Sequence, residues 1–261
     1  MTVCKNCNNT FEGKFCNNCG QKADTPRISL HYLWHEIQHG VFHLDKGVLY
    51  TFKELFIRPG HTIKDYLNGK RVSHFKPFAY VFILAGILSL LRHYLLASEL
   101  HVSGEISFEK NDANQPIVLD SIFNYAKSHL AITQLILLPF FAFGSWLTFR
   151  KRRYNFIENI ILNAFLVGQN LAFNIIFIPV LLLNKLLQND VVNNIISSVP
   201  NMYFIVVMFW GYFQFFNNSN SFKTILKILL TYLIWLIEIL LITFLLLFLF
   251  QTKGEFGIVI L

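Results

Sequence analysis

The chain has 261 residues, of which 54% are hydrophobic, 16% aromatic and only 14% charged. Soluble globular domains carry about 25% charged residues, so this composition excludes an ordinary water-soluble fold and favours a chain that lies largely in a membrane. The formal net charge of +7 is explained by the distribution of basic residues around membrane spans, and no nucleic-acid partner is expected.

Residues 1–24 contain all four cysteines of the chain, Cys4, Cys7, Cys16 and Cys19, in two Cys-x-x-Cys pairs separated by eight residues. Two such turns supply the four thiolates of a tetrahedral structural zinc site, so the pattern predicts a zinc-ribbon knuckle. A closed four-thiolate site has no open position for water, which favours a structural role. An iron centre, a redox pair and a site that docks a partner protein are the alternatives.

Residues 25–76 predict a juxtamembrane helical segment. Apolar side chains recur every three or four residues from Leu30 to Leu55, which is typical of one or two amphipathic helices lying at the cytoplasmic interface. Arg58-Pro59-Gly60 breaks the pattern, and a short helix is expected over residues 62–67. Anionic lipid headgroups are expected to contact the basic residues that follow, Lys70 and Arg71, together with Lys64 and Lys76.

The same segment carries His31, His35, His39 and His43, one every fourth residue. Residues 35–39 read H-E-x-x-H, in which His35 and His39 would bind zinc and Glu36 would act as general base of a metalloprotease. A third ligand would be needed, for which His43, Asp45 and Glu54 are the nearest candidates. A histidine-rich interfacial helix without chemistry, a second metal site and pH sensing are the alternatives.

Runs of about twenty apolar residues predict five membrane-spanning helices. Their approximate bounds are residues 77–97, 129–149, 156–183, 200–216 and 224–250. The fourth is short and begins at Pro200, and the third contains Pro179, which is expected to kink it. The sequence thus predicts an all-α membrane domain over residues 77–261.

Basic residues lie mostly on one side of these spans. Of the 22 Lys and Arg, 17 belong to the side of the N-terminus, and the other five share the opposite side with seven carboxylates. The positive-inside rule therefore places the N-terminus in the cytoplasm and the C-terminus outside. No cleavable leader is expected, and the reducing cytoplasm favours metal-bound thiolates over disulfides.

Polar residues inside the spans mark a candidate intramembrane site. Glu238 lies near the middle of the fifth span, where a charged carboxylate is costly against lipid, so it is expected to face protein or water. Amide side chains line one side of the third span. The candidate polar site consists of Glu238, Asn163, Gln169 and Asn170. The alternative for the amides is hydrogen bonding between neighbouring helices.

Three runs carry a family resemblance: CNNCGQ at residues 16–21, FHLDKG at 42–47 and RPGHTIKDYLNGKR at 58–71. They resemble an uncharacterised family of bacterial membrane proteins, domain of unknown function 3667, over about the first eighty residues. The resemblance implies a cytoplasmic zinc ribbon, a Pro-Gly and Gly-Lys-Arg signature before the first span, and several membrane helices. It implies no reaction. Pro59-Gly60 would open a helix whose free amides, with Lys70 and Arg71, bind a phosphate, or would form a simple elbow.

These features favour a non-enzymatic scaffold or sensor of the bacterial inner membrane that binds structural zinc, the lipid bilayer and a cytoplasmic protein partner. The alternative is a transporter or lipid-handling protein that uses Glu238. A further alternative is the H-E-x-x-H metalloprotease. The sequence does not determine the oligomeric state.

Overall fold

The computed structural model describes residues 1–30, 47–95, 129–184, 190–217 and 220–256. These residues form two short strands and seven helices: β1 Thr2–Val3, β2 Thr10–Phe11, α1 Gly47–Ile57, α2 Pro59–Leu67, α3 Pro77–Leu95, α4 Leu130–Phe149, α5 Phe156–Asn184, α6 Asp190–Phe216 and α7 Ser221–Phe256. The strands pair in antiparallel register within the cysteine knuckle, which comprises residues 1–24. The predicted fold class, a helical membrane protein with a small N-terminal knuckle, is confirmed.

Five helices are long and apolar enough to cross a membrane: Pro77–Leu95, Leu130–Phe149, Phe156–Asn184, Val191–Phe216 and Ser221–Leu245. The chain is thus a multi-pass membrane protein. The predicted start of the fourth span at Pro200 is wrong, because α6 begins at Asp190 and contains Pro200. Proline removes only one backbone donor, here the one that would bond to the carbonyl of Ile196, and membrane helices tolerate such a loss.

The long helix α5 lies at the centre of the bundle. It packs against α3, α4 and α6, and also against the short helices α1 and α2. Most residues from Ile161 to Asn174 are buried, so this stretch forms the interior of the bundle. The last helix, α7, packs against α4 and α6 instead, so it lies at the periphery.

The helices α1 and α2 form a hairpin beside the bundle. Arg58 joins them, and its guanidinium pairs with Glu54 at 2.5 Å and with Asp65 at 3.6 Å. The second helix starts at Pro59, three residues earlier than expected. Proline is well tolerated at the first helical position, where its missing N–H would have had no partner.

Gly60 allows this hairpin to approach α6 closely. A Cβ added at Gly60 would lie 2.5 Å from the backbone nitrogen of Phe215 and 2.6 Å from the carbonyl oxygen of Gly211. Backbone atoms cannot move aside as a flexible side chain can, so the small residue is required for this contact.

We predict that Gly60→Ala lowers the stability of the protein by about 1–3 kcal/mol, because the added methyl group separates α2 from α6. Thermal unfolding in detergent measures the effect. The control is Gly86→Ala in α3, where an added Cβ meets nothing within 4 Å. Equal melting temperatures for the two variants would contradict the prediction.

Candidate metal centre and its docking surface

The four cysteine sulfurs of the knuckle converge on one point. Cys4 Sγ lies 3.5 Å from Cys19 Sγ, and Cys7 Sγ lies 3.6 Å from Cys16 Sγ. All four atoms lie within 4.8 Å of one another. Thiolates bound to one tetrahedral zinc ion lie about 3.8 Å apart, so the cluster fits a single four-coordinate metal. It does not fit disulfides, whose sulfurs are about 2.05 Å apart.

The two Cys-x-x-Cys turns have the same hydrogen-bond pattern. The N–H of Asn8 donates to the Cys4 carbonyl and the N–H of Gly20 donates to the Cys16 carbonyl, both at 2.9 Å. Asn8 and Gly20 have positive φ values of 60° and 75°. Asparagine and glycine tolerate this conformation, so each turn directs its two sulfurs to the same side.

The local environment makes the thiols unequal in acidity. Hydrogen bonding to the backbone of Asn9 lowers the pKa of Cys7. Burial raises the pKa of Cys16, but hydrogen bonds to the backbone of Cys19 and Asn18 lower it overall to about 6. Burial raises the pKa of Cys19 to about 11. Because thiolates this close repel each other, four of them require a central cation, which also deprotonates them.

The knuckle lies on residues 69–73, here called the docking loop, which connect α2 to α3. Gln21, only 3% exposed, accepts hydrogen bonds at its Oε1 from the N–H of Arg71 at 3.0 Å and from the N–H of Val72 at 3.1 Å. Ser73 Oγ donates to Asn6 Oδ1 at 2.8 Å. Asn6 directly precedes Cys7 in the sequence, and Gln21 follows Cys19 by two residues.

Gly69 makes this contact possible. Its φ is +109°, and an added Cβ would lie 2.6 Å from Thr25 Oγ1 and 2.9 Å from Lys5 Cδ. A side chain would therefore be strained by the backbone conformation and would push the knuckle away.

A second contact joins the segment that follows the knuckle to α5. Arg27 donates to Glu158 through Nε at 2.8 Å and Nη2 at 2.7 Å. Glu158 also accepts from the N–H of Asn155 at 2.7 Å, and Asn155 Oδ1 accepts from the N–H of Glu158. This reciprocal arrangement is a capping box. Asn155 Nδ2 donates to the carbonyl of Ile28 at 3.1 Å, so the start of α5 binds the backbone of the segment that follows the knuckle.

Lys70 and Arg71 both engage atoms of the protein. Lys70 Nζ lies 3.0 Å from Asp65 Oδ1, and Arg71 Nη2 donates to the Pro26 carbonyl at 2.6 Å. The N–H of Gly60, at the start of α2, donates to Gln214 Oε1 at 3.1 Å. The expected contact of Lys70 and Arg71 with lipid headgroups stays a prediction. In this structure Lys70 and Arg71 contact the protein around the docking loop, and the Gly60 N–H contributes to the α2–α6 interface.

Asn163 links three helices inside the bundle. Its side chain is fully buried, Nδ2 donates to Ser145 Oγ at 3.2 Å, and Oδ1 accepts from the hydroxyl of Tyr212. Ser145 Oγ also donates to Asn159 Oδ1 at 3.1 Å. These contacts join α4, α5 and α6, which is the interhelical hydrogen bonding considered as the alternative to a polar site.

Gln169 and Asn170 face other partners. Gln169 Nε2 donates to the Tyr203 hydroxyl of α6 at 3.2 Å, while its Oε1 is buried without a partner. The carbonyl of Asn170 accepts from Asn174 Nδ2 at 2.8 Å. Asn174 Oδ1 in turn accepts from Arg92 Nη2 of α3 at 3.0 Å. The amides of α5 thus contact different helices.

Glu238 lies on the peripheral helix α7. Its Oε1 is buried without a hydrogen-bond partner, and the nearby contacts of α7 are made by Trp235 Nε1 to the Phe141 carbonyl at 3.2 Å and by Tyr232 to the Ile205 carbonyl at 2.7 Å. Within the described ranges no hydrogen bond joins Glu238 to Asn163, Gln169 or Asn170. The expected common polar site is therefore not assembled by hydrogen bonds, and its role stays a prediction.

The histidine motif lies outside the described residues, which do not include 31–46. The metalloprotease hypothesis for His35, Glu36 and His39 stays a prediction.

Sequence reasoning did not single out His74. Its Nδ1–H donates to the Lys70 carbonyl at 2.7 Å, and its ring packs edge-on against Tyr50 and Tyr66 at centroid distances of 5.2 and 6.0 Å. Burial lowers its pKa. The His74 ring therefore joins the docking loop to α1 through Tyr50 and to α2 through Tyr66.

The fold and this centre define a multi-pass membrane protein with an N-terminal knuckle whose four cysteines lie at metal-binding distance. Residues 45–88 match the family model described as Protein of unknown function (DUF3667), which confirms the resemblance read from the sequence. The matched segment includes α1, α2, the docking loop and most of α3. No curated protein and no solved structure gives a match.

We predict one tightly bound divalent metal ion per chain, lost in the double variant Cys16→Ser, Cys19→Ser, because two ligands cannot complete the tetrahedral shell. Elemental analysis of purified protein measures the ratio, and Ser29→Ala serves as control. A metal that survives removal of the cysteines but disappears in His35→Ala would instead support the histidine site.

Proposed function

We propose that this protein is a non-enzymatic scaffold or sensor of the bacterial inner membrane. In this proposal a zinc-bound cytoplasmic knuckle controls how the N-terminal head, residues 1–30, attaches to the membrane helices. The observation that carries the proposal is the pair of contacts through which Gln21 holds the docking loop and Arg27 holds the start of α5. In this proposal, loss of the metal weakens these contacts and thereby changes the conformation of the docking loop and of the first turn of α5.

The choice of zinc rests on ligand chemistry. Four thiolates suit zinc, and a closed shell of four protein ligands leaves no position for a substrate or a reactive water. Binding of structural zinc is coupled to folding of its small domain. Because Asn6 and Gln21 are held in place by the metal-site turns, loss of the metal would also remove their contacts with the docking loop.

The cytoplasmic position of the knuckle rests on the distribution of charge. Most Lys and Arg lie on the knuckle side of the spans, including the cluster at residues 150–153, and such residues are retained in the cytoplasm. The knuckle also exposes apolar side chains, among them Val3 at 62% and Phe15 at 56% exposure. They provide a surface for a cytoplasmic protein partner.

We predict that Gln21→Ala increases amide hydrogen exchange at Arg71 and Val72 without loss of metal. The substitution removes the shared acceptor of these two N–H groups, and each lost hydrogen bond costs about 0.5–1.5 kcal/mol. Hydrogen–deuterium exchange with mass spectrometry measures it. Chelation of the metal from the wild type should reproduce the increase and extend it to the first turn of α5.

The matched control is Lys22→Ala, an exposed neighbour of Gln21 in the same knuckle. It should exchange like the wild type. The proposal would be abandoned if chelation left exchange in the docking loop and in α5 unchanged, since the head would then not transmit its metal state.

One observation favours the alternative of a transporter or lipid-handling protein: the Oε1 of Glu238 is buried in a membrane helix without a partner. Carboxylates in such positions frequently act in proton relays. In proteoliposomes with an imposed pH gradient, this alternative predicts proton flux that Glu238→Gln abolishes and Glu238→Asp retains. Absence of flux in the wild type would argue against proton coupling.

A further inference from the structure

Two lysines lie over one aromatic cluster at the knuckle end of the bundle. Lys64 Nζ of α2 lies 5.8 Å from the ring centroid of Phe215, and Lys227 Nζ of α7 lies 5.5 Å from that of Phe149. The cluster itself is continuous, because Phe149 stacks on Phe216 at 3.8 Å and Phe216 contacts Phe215 at 4.8 Å. The two lysines thus contact rings of one continuous aromatic cluster, which is formed by the ends of α4 and α6.

Arg152 lies beside the same aromatic cluster. Its N–H donates to the carbonyl of Phe149 at 2.7 Å in the turn that follows α4. Burial lowers the pKa of Lys64, and the positive charge of Arg152 lowers it further. Two like charges therefore lie close enough to repel each other, which is unfavourable unless an anion lies nearby.

The nearby carboxylates are already paired with other cations. Glu54 binds Arg58, Asp65 binds Arg58 and Lys70, and Glu158 binds Arg27. In the part of the chain that the structure describes, no carboxylate lies within ion-pair distance of Lys64, Arg152 or Lys227. Lys64 Nζ donates to the carbonyl of Gln214 at 3.3 Å, in the last turn of α6.

The first turns of α7, which contain Lys227, also expose apolar side chains. Phe222 and Leu226, in the first turns of α7, are 76% and 59% exposed. Lys227 lies in a helix that is apolar enough to cross the membrane. An anionic group that binds here would therefore have its apolar part beside α7.

We propose that Lys64, Arg152 and Lys227 bind the phosphate of an anionic phospholipid headgroup at the junction of α2, α4, α6 and α7. Phosphate is the shared chemistry of a lipid headgroup and of free inorganic phosphate. The exposed apolar residues of α7 favour the lipid, because only the lipid has acyl chains to cover them. The site is separate from Lys70 and Arg71, which bind atoms of the protein.

The test uses full-length protein in uncharged detergent and native mass spectrometry with phosphatidylglycerol. Binding to the double variant Lys64→Gln, Lys227→Gln should be roughly thirtyfold weaker than binding to the wild type, and Lys64→Arg, Lys227→Arg should retain it. The control variant Lys14→Gln, Lys22→Gln removes the same charge from the knuckle and should bind like the wild type. Circular dichroism and gel filtration verify that each variant is folded.

Two further ligands distinguish the sources of phosphate. Phosphatidylcholine should bind at least tenfold more weakly than phosphatidylglycerol, because it has no net negative charge. Inorganic phosphate at millimolar concentration should not displace the lipid. Displacement by inorganic phosphate, or equal lipid binding by the wild type and the Lys64→Gln, Lys227→Gln variant, would overturn the proposal.

Discussion

A helix surrounded by other helices in a membrane must satisfy its polar side chains without water, and Asn163 and Asn174 of α5 do so through neighbouring helices. Asn163 bonds to Ser145 of α4 and Tyr212 of α6, while Asn174 accepts from Arg92 of α3. Each bond is of the order of 1 kcal/mol, since the unfolded chain in a membrane also finds partners. Their main effect is to fix which face of α5 meets which neighbour.

This fixed orientation extends to the knuckle end of the bundle. The capping box of Asn155 and Glu158 begins α5 at this end and places Glu158 beside Arg27. Arg27 is 59% exposed, so its ion pair adds little stability by itself. Its geometry nevertheless fixes where the tail of the knuckle lies. The central helix and the metal centre are thus parts of one continuous arrangement.

The features predicted correctly are those with a local signature. The cysteine spacing identifies the metal cluster because each Cys-x-x-Cys turn brings its own two sulfurs together, and hydropathy locates the spans because a membrane requires long apolar helices. The start of α6 was misjudged because Pro200 has the same local signature at a helix boundary and inside a membrane helix.

Contacts between distant residues had no such signature. Gln21 binds amides 50 and 51 residues away, and nothing in its own surroundings indicates an acceptor for a loop before the first span. Lys70 and Arg71 illustrate the same limit from the other direction. Their charge and position favour headgroups, but only the folded chain places Asp65 and the Pro26 carbonyl beside them.

The separation of Arg27 and Glu158 by 131 residues has a consequence for biosynthesis. The knuckle can fold as soon as it leaves the ribosome, but the partner of Arg27 on α5 is synthesised only after two membrane helices. At about 5–20 residues per second, this interval is roughly 7–26 s. During that time the N-terminal segment has no place on α5 to bind, so the contact forms only after the first two spans and the start of α5 have been made.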